Sequence, residues 1–355
     1  LGFFNPVEPL AAGNLEGSLT IENPFGSKGL IADVDINNFE VLEVPMGVLK
    51  LDAEAVSARD YNFDLAIKEG KVDLDLTGGF TAAADGAQWY TELDLNKVEM
   101  EIIEAFSFGE IKDSEGSFSG NIDLSGTFVD PEYTGQLHFQ DARFTVSKLD
   151  APFMIRDETL TVDTEAMYFE DFIIEDSEEN NFNVNGEMLT ATPLNPEFDL
   201  AFSAEDFMLL SSTSEDNELF YGTAVIDLEA ELTGTLNVPN LQMDLNVDGQ
   251  TNLTYIIPES EVGIERREGI VRFVNRENPD AILTATEEET YALSGMEIRS
   301  TININEDAVF NIVIDEQTGD NLQVVGEGRL LFNIYSNGRT TMNGRYEMSG
   351  GHYEM

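Results

Sequence analysis

The chain has 355 residues, of which 69 are acidic and 18 basic, so its net charge is −51 at pH 7. Such a surface repels nucleic acid and anionic headgroups, because binding either one requires lysine and arginine to neutralise phosphate. The chain contains no cysteine, which excludes disulfides and thiolate metal sites. No apolar run approaches the roughly 20 residues of a membrane-spanning helix. We therefore expect a soluble chain, or the soluble part of a longer one.

Alternation of apolar and polar residues is the dominant pattern along the sequence, and a period of two is typical of half-buried strands. Turn-forming residues such as Asn-Pro, Pro-Met-Gly and Asn-Gly separate the runs. No Pro/Gly/Ser-rich linker divides the chain, so we expect one elongated body. The main runs, in chain order, lie at 19–21, 32–36, 49–53, 61–67, 72–80, 88–95, 122–128, 137–139, 144–146, 153–155, 160–162, 182–188, 198–202, 224–232, 241–247, 302–304, 310–314, 322–324, 330–334 and 342–348.

Local signals predict one clear hairpin and two short helices. The runs at 61–67 and 72–80 flank Lys68-Glu69-Gly70-Lys71, as expected for antiparallel strands joined by a tight turn. Residues 99–106 predict a short helical turn. Residues 204–210 predict a second one, with Ser203 as its N-cap.

Short turns between consecutive strands favour an antiparallel meander, because parallel neighbours need long crossovers. Every strand has a single apolar face, rich in Phe and Tyr, which must be hidden by curling or by a second sheet. The sequence therefore predicts an all-β protein. The alternation alone does not choose between a filled β-sandwich and an open, apolar-lined trough, and a parallel β-helix is a further alternative.

A short segment recurs at long range. Gly-Thr-Phe-Val-Asp-Pro-Glu-Tyr from Gly126 returns as Gly-Thr-Leu-Asn-Val-Pro-Asn-Leu from Gly234, and a weaker Gly-Ser-Leu begins at Gly17. The spacing suggests diverged units of one design. We predict approximate units at 17–125, 126–233 and 234–343, with 344–355 as the start of a truncated final segment. Because the last run stops in mid-strand, we expect a fragment of a longer protein.

Residues that could carry chemistry have simpler interpretations. Pairs such as Asp73/Asp75 occupy alternate strand positions opposite an apolar face, which indicates a solvated surface rather than a metal site. His138 and His352 are the only histidines and lie far apart in sequence. The sequence therefore offers too few histidines for a histidine-based zinc site or catalytic triad. Gly326-Glu327-Gly328 lacks the βαβ context of a dinucleotide site. We expect no enzymatic activity, no catalytic or metal-binding residues and no cofactor.

Several stretches resemble the C-terminal region of TamB-type translocation and assembly module proteins, specifically those of Bacteroidota. The resemblance covers most of the chain and is weakest over residues 1–30. Its motifs are turns and strands without a catalytic signature. They lie at 120–121, 126–133, 151–153, 221–224, 257–258, 271–275, 310–315, 326–328 and, most distinctively, in Gly344-Arg345-Tyr346-Glu347-Met348-Ser349-Gly350-Gly351-His352-Tyr353.

This resemblance implies an AsmA-like repeating β-groove, a taco-shaped curled sheet with an apolar interior. It implies a periplasmic location, with an inner-membrane anchor outside this sequence, and a role in outer-membrane biogenesis. One implied activity is passage of phospholipids between the membranes, with phospholipid as the bound ligand. The other is assembly of outer-membrane proteins with a TamA/BamA-type barrel, TamL-like in Bacteroidota, through strands expected beyond Tyr353.

The apolar positions of the alternating runs are our candidates for the lining of this groove. They are Phe63, Leu65, Leu74, Leu76, Ile122, Leu124, Phe128, Leu137, Phe139, Phe144, Val184, Leu200, Ile226, Leu228, Leu245, Phe310, Ile312, Ile314, Val324, Leu330, Phe332 and Tyr346.

Overall fold

A computed structural model describes residues 11–20, 31–83, 86–127, 130–192, 195–217, 219–257, 295–315 and 318–354. They form nineteen strands of one sheet and one short helix. The elements are β1 (Ala11–Thr20), β2 (Ile31–Val41), β3 (Val44–Ala55), β4 (Asp60–Lys68), β5 (Val72–Ala83), β6 (Gly86–Glu99), α1 (Glu101–Phe106), β7 (Ile111–Thr127), β8 (Pro131–Val146), β9 (Ala151–Asp163), β10 (Ala166–Glu175), β11 (Asn181–Leu189), β12 (Glu197–Ser212), β13 (Phe220–Thr235), β14 (Val238–Val247), β15 (Asn252–Ile256), β16 (Glu297–Ile304), β17 (Val309–Asp315), β18 (Asp320–Ile334) and β19 (Thr340–Glu354).

The strands follow one another across the sheet in chain order. From β1 to β14 each strand pairs antiparallel with the next. The predicted hairpin is β4–β5, in which Leu65 lies directly opposite Leu76. The all-β prediction is therefore confirmed, and the sheet is a long curled meander of the β-groove type.

One step departs from the predicted meander. β14 and β15 both pair antiparallel with β13, so they act as one interrupted strand. β16 and β17 act as a second interrupted strand, and the two run parallel to each other. Antiparallel order resumes at β18 and β19. Alternation within a strand reports its faces but not the direction of its neighbour, so the sequence pattern could not predict this step.

The predicted helical turn at 99–106 is confirmed as α1. The second predicted helix, at 204–210, is wrong, because these residues belong to β12. Ala204, Phe207 and Leu210 are all buried at a spacing of three that resembles a helical face. Two register irregularities produce this spacing, one between Ala204 and Phe207 and one between Met208 and Leu210, because an extra residue shifts the phase of alternation.

Irregularities of this kind bend the middle of the sheet. Asp113, Asp141, Asp171 and Asp206 lie on β7, β8, β10 and β12, with φ of 53°, 46°, 49° and 51°. Each sits where the cross-strand register shifts. Aspartate tolerates this left-handed conformation better than most residues, and bulges increase local twist and bending. We call these four residues the aspartate bulges.

The turns form two long rims. The turns at 42–43, 69–71, 147–150 and 213–217, together with α1, form what we call the helix rim. The turns at 56–59, 164–165, 236–237 and 335–339 form the opposite rim.

The recurring segment lies at the opposite rim in both copies. Gly126 faces Pro131 and Gly234 faces Pro239, with φ of 91° and 87°. A Cβ at either glycine would approach a carbonyl oxygen to 2.5 or 2.6 Å, so only glycine fits. The two segments thus share the same glycine–proline cross-strand pair beside their turns, while the division into units stays a prediction.

A candidate apolar groove

Cross-strand register places the apolar positions on one face of the sheet. Residues directly opposite each other in neighbouring strands share a face. One row runs through Leu65, Leu76, Leu93 and Ile122 on β4 to β7. Near the other end, a second row runs through Leu228, Leu245, Ile302 and Leu330 on β13, β14, β16 and β18. The apolar face therefore extends along most of the sheet.

Ring contacts show that this face is the inside of the curve. Phe139 on β8 meets Phe172 on β10 edge-on, with ring centroids 5.9 Å apart. Phe153 on β9 stacks on Phe207 on β12, with centroids 5.5 Å apart. β9 and β12 extend past the short β10–β11 hairpin and close over its turn, so their side chains meet although two strands lie between them. The apolar face is therefore concave, as a groove requires.

The structure places the predicted lining residues in three environments. Val184, Leu200 and Ile226 are buried, whereas Ile314 is 40% exposed. Phe128 lies outside the described residues. That lipid contacts these side chains stays a prediction. The remaining candidates are half-buried: Phe63, Leu65, Leu74, Leu76, Ile122, Leu124, Leu137, Phe139, Phe144, Leu228, Leu245, Phe310, Ile312, Val324, Leu330, Phe332 and Tyr346.

The middle of the groove is packed rather than open. Two clusters of buried side chains join strands β8 to β13, together with Met100 just after β6. Their buried members are Met100, Ala142, Ile155, Leu160, Phe172, Val184 and Leu200 in the first cluster, and Ala151, Phe153, Ala204, Phe207 and Ile226 in the second. We call this region the packed centre. Sequence alternation identified its apolar face but not its closure.

One aspartate secures the packed centre. Asp176 is 4% exposed and lies in the turn between β10 and β11. Its carboxylate accepts backbone N–H bonds from Glu178, Asn180 and Met208 at 2.7–2.9 Å, and a fourth bond from the Asn180 side chain. Because Met208 belongs to β12, the carboxylate ties the turn to that strand. Sequence reasoning missed this residue, since its partners are mostly backbone groups.

The convex face carries the acidic residues. Asp73 and Asp75 both accept a hydrogen bond from Lys68, at 2.7 Å for Asp75, and both also accept one from Asn96. Hydrogen bonds from Lys68 lower the pKa of both carboxyls, and bonds to Asp73 and Asp75 raise the pKa of Lys68. This pair is a partly solvated ion network, consistent with the predicted polar face.

Two small hydroxyl residues interrupt the apolar face. Thr91 lies between Gly78 and Leu124, and Ser300 lies between Met243 and Phe332. Both are at least nine-tenths buried, and neither hydroxyl has a protein hydrogen-bond partner. The groove surface is therefore apolar but not uniform.

No metal centre is apparent in the described part of the chain. Over those residues no group of three or more His, Asp or Glu side chains is arranged to hold a metal ion. His138 contacts Thr159 and Asp157 on the neighbouring strand, as an outer-face residue would. Within the same ranges no helix is long and apolar enough to cross a membrane.

A curled sheet with a long apolar concave face and an acidic convex face defines a β-groove protein. The profile of the TamB C-terminal domain matches residues 170–355, just over half of the chain. The chain therefore belongs to the TamB family. Among curated proteins and solved structures nothing matches it significantly.

Proposed function

We propose that this protein carries the acyl chains of phospholipids along its concave face, between the inner and outer membranes. TamB proteins are periplasmic, non-enzymatic modules that bridge the two membranes and act in outer-membrane assembly and lipid transport. The observation that carries the proposal is the pair of apolar rows, whose members are half-buried toward both ends of the sheet.

The energetics fit a carrier without site chemistry. Each CH₂ group removed from water contributes about 0.8 kcal/mol, so two acyl chains are held strongly by burial alone. Phospholipid headgroups remain in water along the open side of the groove. The acidic residues lie on the convex face, away from these headgroups. Partly exposed apolar rows bind an acyl chain without requiring a fixed geometry. Such binding is compatible with movement of the lipid along the groove.

Photo-crosslinking from paired neighbours tests the proposal. A photoreactive residue at Leu76 or Leu330 faces the groove, whereas the same residue at Thr77 or Leu331 faces outward. We expect labelling of phospholipid from vesicles only from the first pair. Phe332→Glu should stay folded by circular dichroism and reduce labelling at Leu330. Equal labelling from both faces, or none from either, would contradict the proposal.

A second candidate function is the assembly of outer-membrane proteins with a TamA-type partner. The observation that favours it is β19, whose outer edge pairs with no other described strand and which exposes Met342 and Met348. Such an edge can accept a strand by β-augmentation. A crosslinker at Met348 should then capture a TamA-type barrel, and an outer-face crosslinker at Thr77 should not.

A further inference from the structure

The packed centre closes the groove at one cross-section near the helix rim. β10 and β11 are short, while β9 and β12 on either side extend past their turn. The extended ends of β9 and β12 meet over the β10–β11 turn, where the rings of Phe153 and Phe207 stack with their planes 5° apart. Phe182 on β11 also contacts Phe207, with centroids 5.4 Å apart. We call this aromatic cluster the closure.

The closure is dry, whereas groove positions on either side of it are accessible, although a third buried cluster of Met46, Val72, Val98 and Ile102 packs the helix-rim ends of β3, β5 and β6. Phe207 is 2% exposed and Ile226 is 4% exposed. Leu76 on one side and Leu330 on the other are half-buried and accessible. Well-packed interiors leave no room for an additional chain, so an acyl chain fits against the two sides but not through the closure as it stands.

Backbone contacts hold the two sides of the closure together. The Ser211 N–H donates to the carbonyl oxygen of Leu149 at 3.3 Å. The Asn217 side chain donates to the carbonyl oxygen of Lys148 at 3.1 Å. These bonds join the β8–β9 turn to the end of β12 and the β12–β13 turn, which are not neighbours in the sheet.

An ion cluster spans the same gap. Lys112 on β7 pairs with Asp150 in the β8–β9 turn, and its Nζ lies 3.9 Å from a carboxylate oxygen of Asp216 in the β12–β13 turn. Exposed pairs of this kind contribute little individually. The rim contacts are thus few and weak compared with the apolar packing beneath them, so opening depends mainly on separating that packing.

We propose that the groove holds acyl chains in two separate stretches, β2–β7 and β14–β19, and that lipid passes between them only when the closure opens. This inference rests on the proposed carrier function and adds a dividing point to it. Opening requires separation of Phe153 from Phe207 and release of the two turns. The closure is then the step that limits transfer along the groove.

The absence of native cysteine allows the closure to be locked without altering its aromatic residues. The double variant Asp150→Cys/Asp216→Cys places two thiols beside Lys112, where the carboxylates of Asp150 and Asp216 now lie. A matched control, His138→Cys with Thr159→Cys, joins directly opposite residues of β8 and β9 on the outer face. Each double variant is compared oxidised and reduced, in transfer of fluorescent phospholipid between donor and acceptor vesicles.

We expect oxidation of the closure variant to slow transfer at least about five-fold, since a locked state cannot populate the open one. Lipid crosslinking at Leu76 and Leu330 should be unchanged, and oxidation of the control should have no effect. Unchanged transfer in the locked protein would overturn the closure as a dividing point. Loss of all crosslinking, in both the oxidised and the reduced protein, would instead contradict the carrier function itself.

A direct occupancy measurement covers the case in which the disulfide fails to form. A photoreactive residue at Phe153 should label phospholipid far less than one at Leu76 or Leu330, with circular dichroism confirming the fold. Labelling at Phe153 equal to that at the two flanking positions would also overturn the proposal, because it would show a continuous occupied path.

Discussion

The packed centre and the C-terminal stretch β16–β19 carry the same alternation of apolar and polar residues but bury it differently. Phe172 and Phe207 are almost fully buried, whereas Leu330 and Phe332 are half-buried and Met342 is 59% exposed. The difference lies in the backbone, because the aspartate bulges occur on β7 to β12 and not on β16 to β19. Alternation determines which face is apolar, and the aspartate bulges coincide with the strands on which that face is closed.

The largest expected effect is loss of a ring from the packed centre. Phe207→Ala should destabilise the protein by about 3–5 kcal/mol, because it removes a buried ring and leaves a cavity. Phe332→Ala should cost only about 1 kcal/mol, since that side chain is half-buried. Urea unfolding followed by circular dichroism measures both. Equal losses would show that the two regions are packed alike.

Removal of the buried carboxylate should come next. Asp176→Ala leaves the Met208 N–H and the turn amides without their acceptor, so we expect a loss of about 2–3 kcal/mol in unfolding free energy. The matched control is Asp248→Ala, because Asp248 accepts a similar turn bond from Gln250 at an exposed site. If the two variants were equally stable, Asp176 would not secure the packed centre.

A smaller effect should follow from changing one bulge. Asp206→Val places a β-branched residue at φ of 51°, which should cost about 1–2 kcal/mol. Asp206→Gly should be close to neutral, because glycine adopts this conformation freely. Asp199→Val, at a regular position of the same strand, is the control. Thermal unfolding distinguishes them, and equal stability of both valine variants would remove the bulge from the explanation.

The smallest effect concerns the convex face outside the packed centre. The pKa values of Asp73 and Asp75 are lowered from 3.8, first by hydrogen bonds from Lys68. Their contribution to stability is therefore present above about pH 4 and is lost as the pH falls through the lowered values. Lys68→Met should cost less than about 1 kcal/mol at pH 7, and this difference should disappear once the pH has fallen below the lowered pKa values of both carboxyls.

The pH titration of unfolding has a simple control in Lys148→Met. Lys148 pairs with Glu110 at a more exposed position of the helix rim, so a smaller change is expected. A loss in Lys68→Met that stayed constant from pH 7 to below the pKa values of Asp73 and Asp75 would show that its packing, rather than its charge, is responsible.

Much of the fold could be predicted from the sequence because period-two alternation is a local signal. It identified most of the strands, the β4–β5 hairpin and the apolar face, but it gave no run for β10 or β15. The short helix at Glu101–Phe106 was also predicted. The alternation signal failed at 204–210, where a bulge imitated helical spacing. Asp206 was a sequence signal for the bulge, because it interrupts a series of apolar residues that are spaced three apart. Aspartate is among the residues that accept a left-handed backbone.

The closure could not be predicted, because it depends on contacts between strands that are neither consecutive nor paired. Phe153 and Phe207 each look like ordinary inward residues of their own strand. The bond from Met208 to Asp176 joins a strand to a turn, without a pattern in either segment. The closure therefore depends on how the sheet curves in three dimensions, whereas the apolar lining face follows from the alternation in the sequence.

The parallel pairing of β14–β15 with β16–β17 has a consequence for how the molecule assembles. Elsewhere each strand pairs with its chain neighbour, so the sheet can grow by closing short loops as the polypeptide emerges. At this junction the pairing requires closure of a much longer loop, which is slower. We therefore expect β16–β19 to form as a unit of its own and then to join the preceding edge, with the junction as the boundary between two folding units.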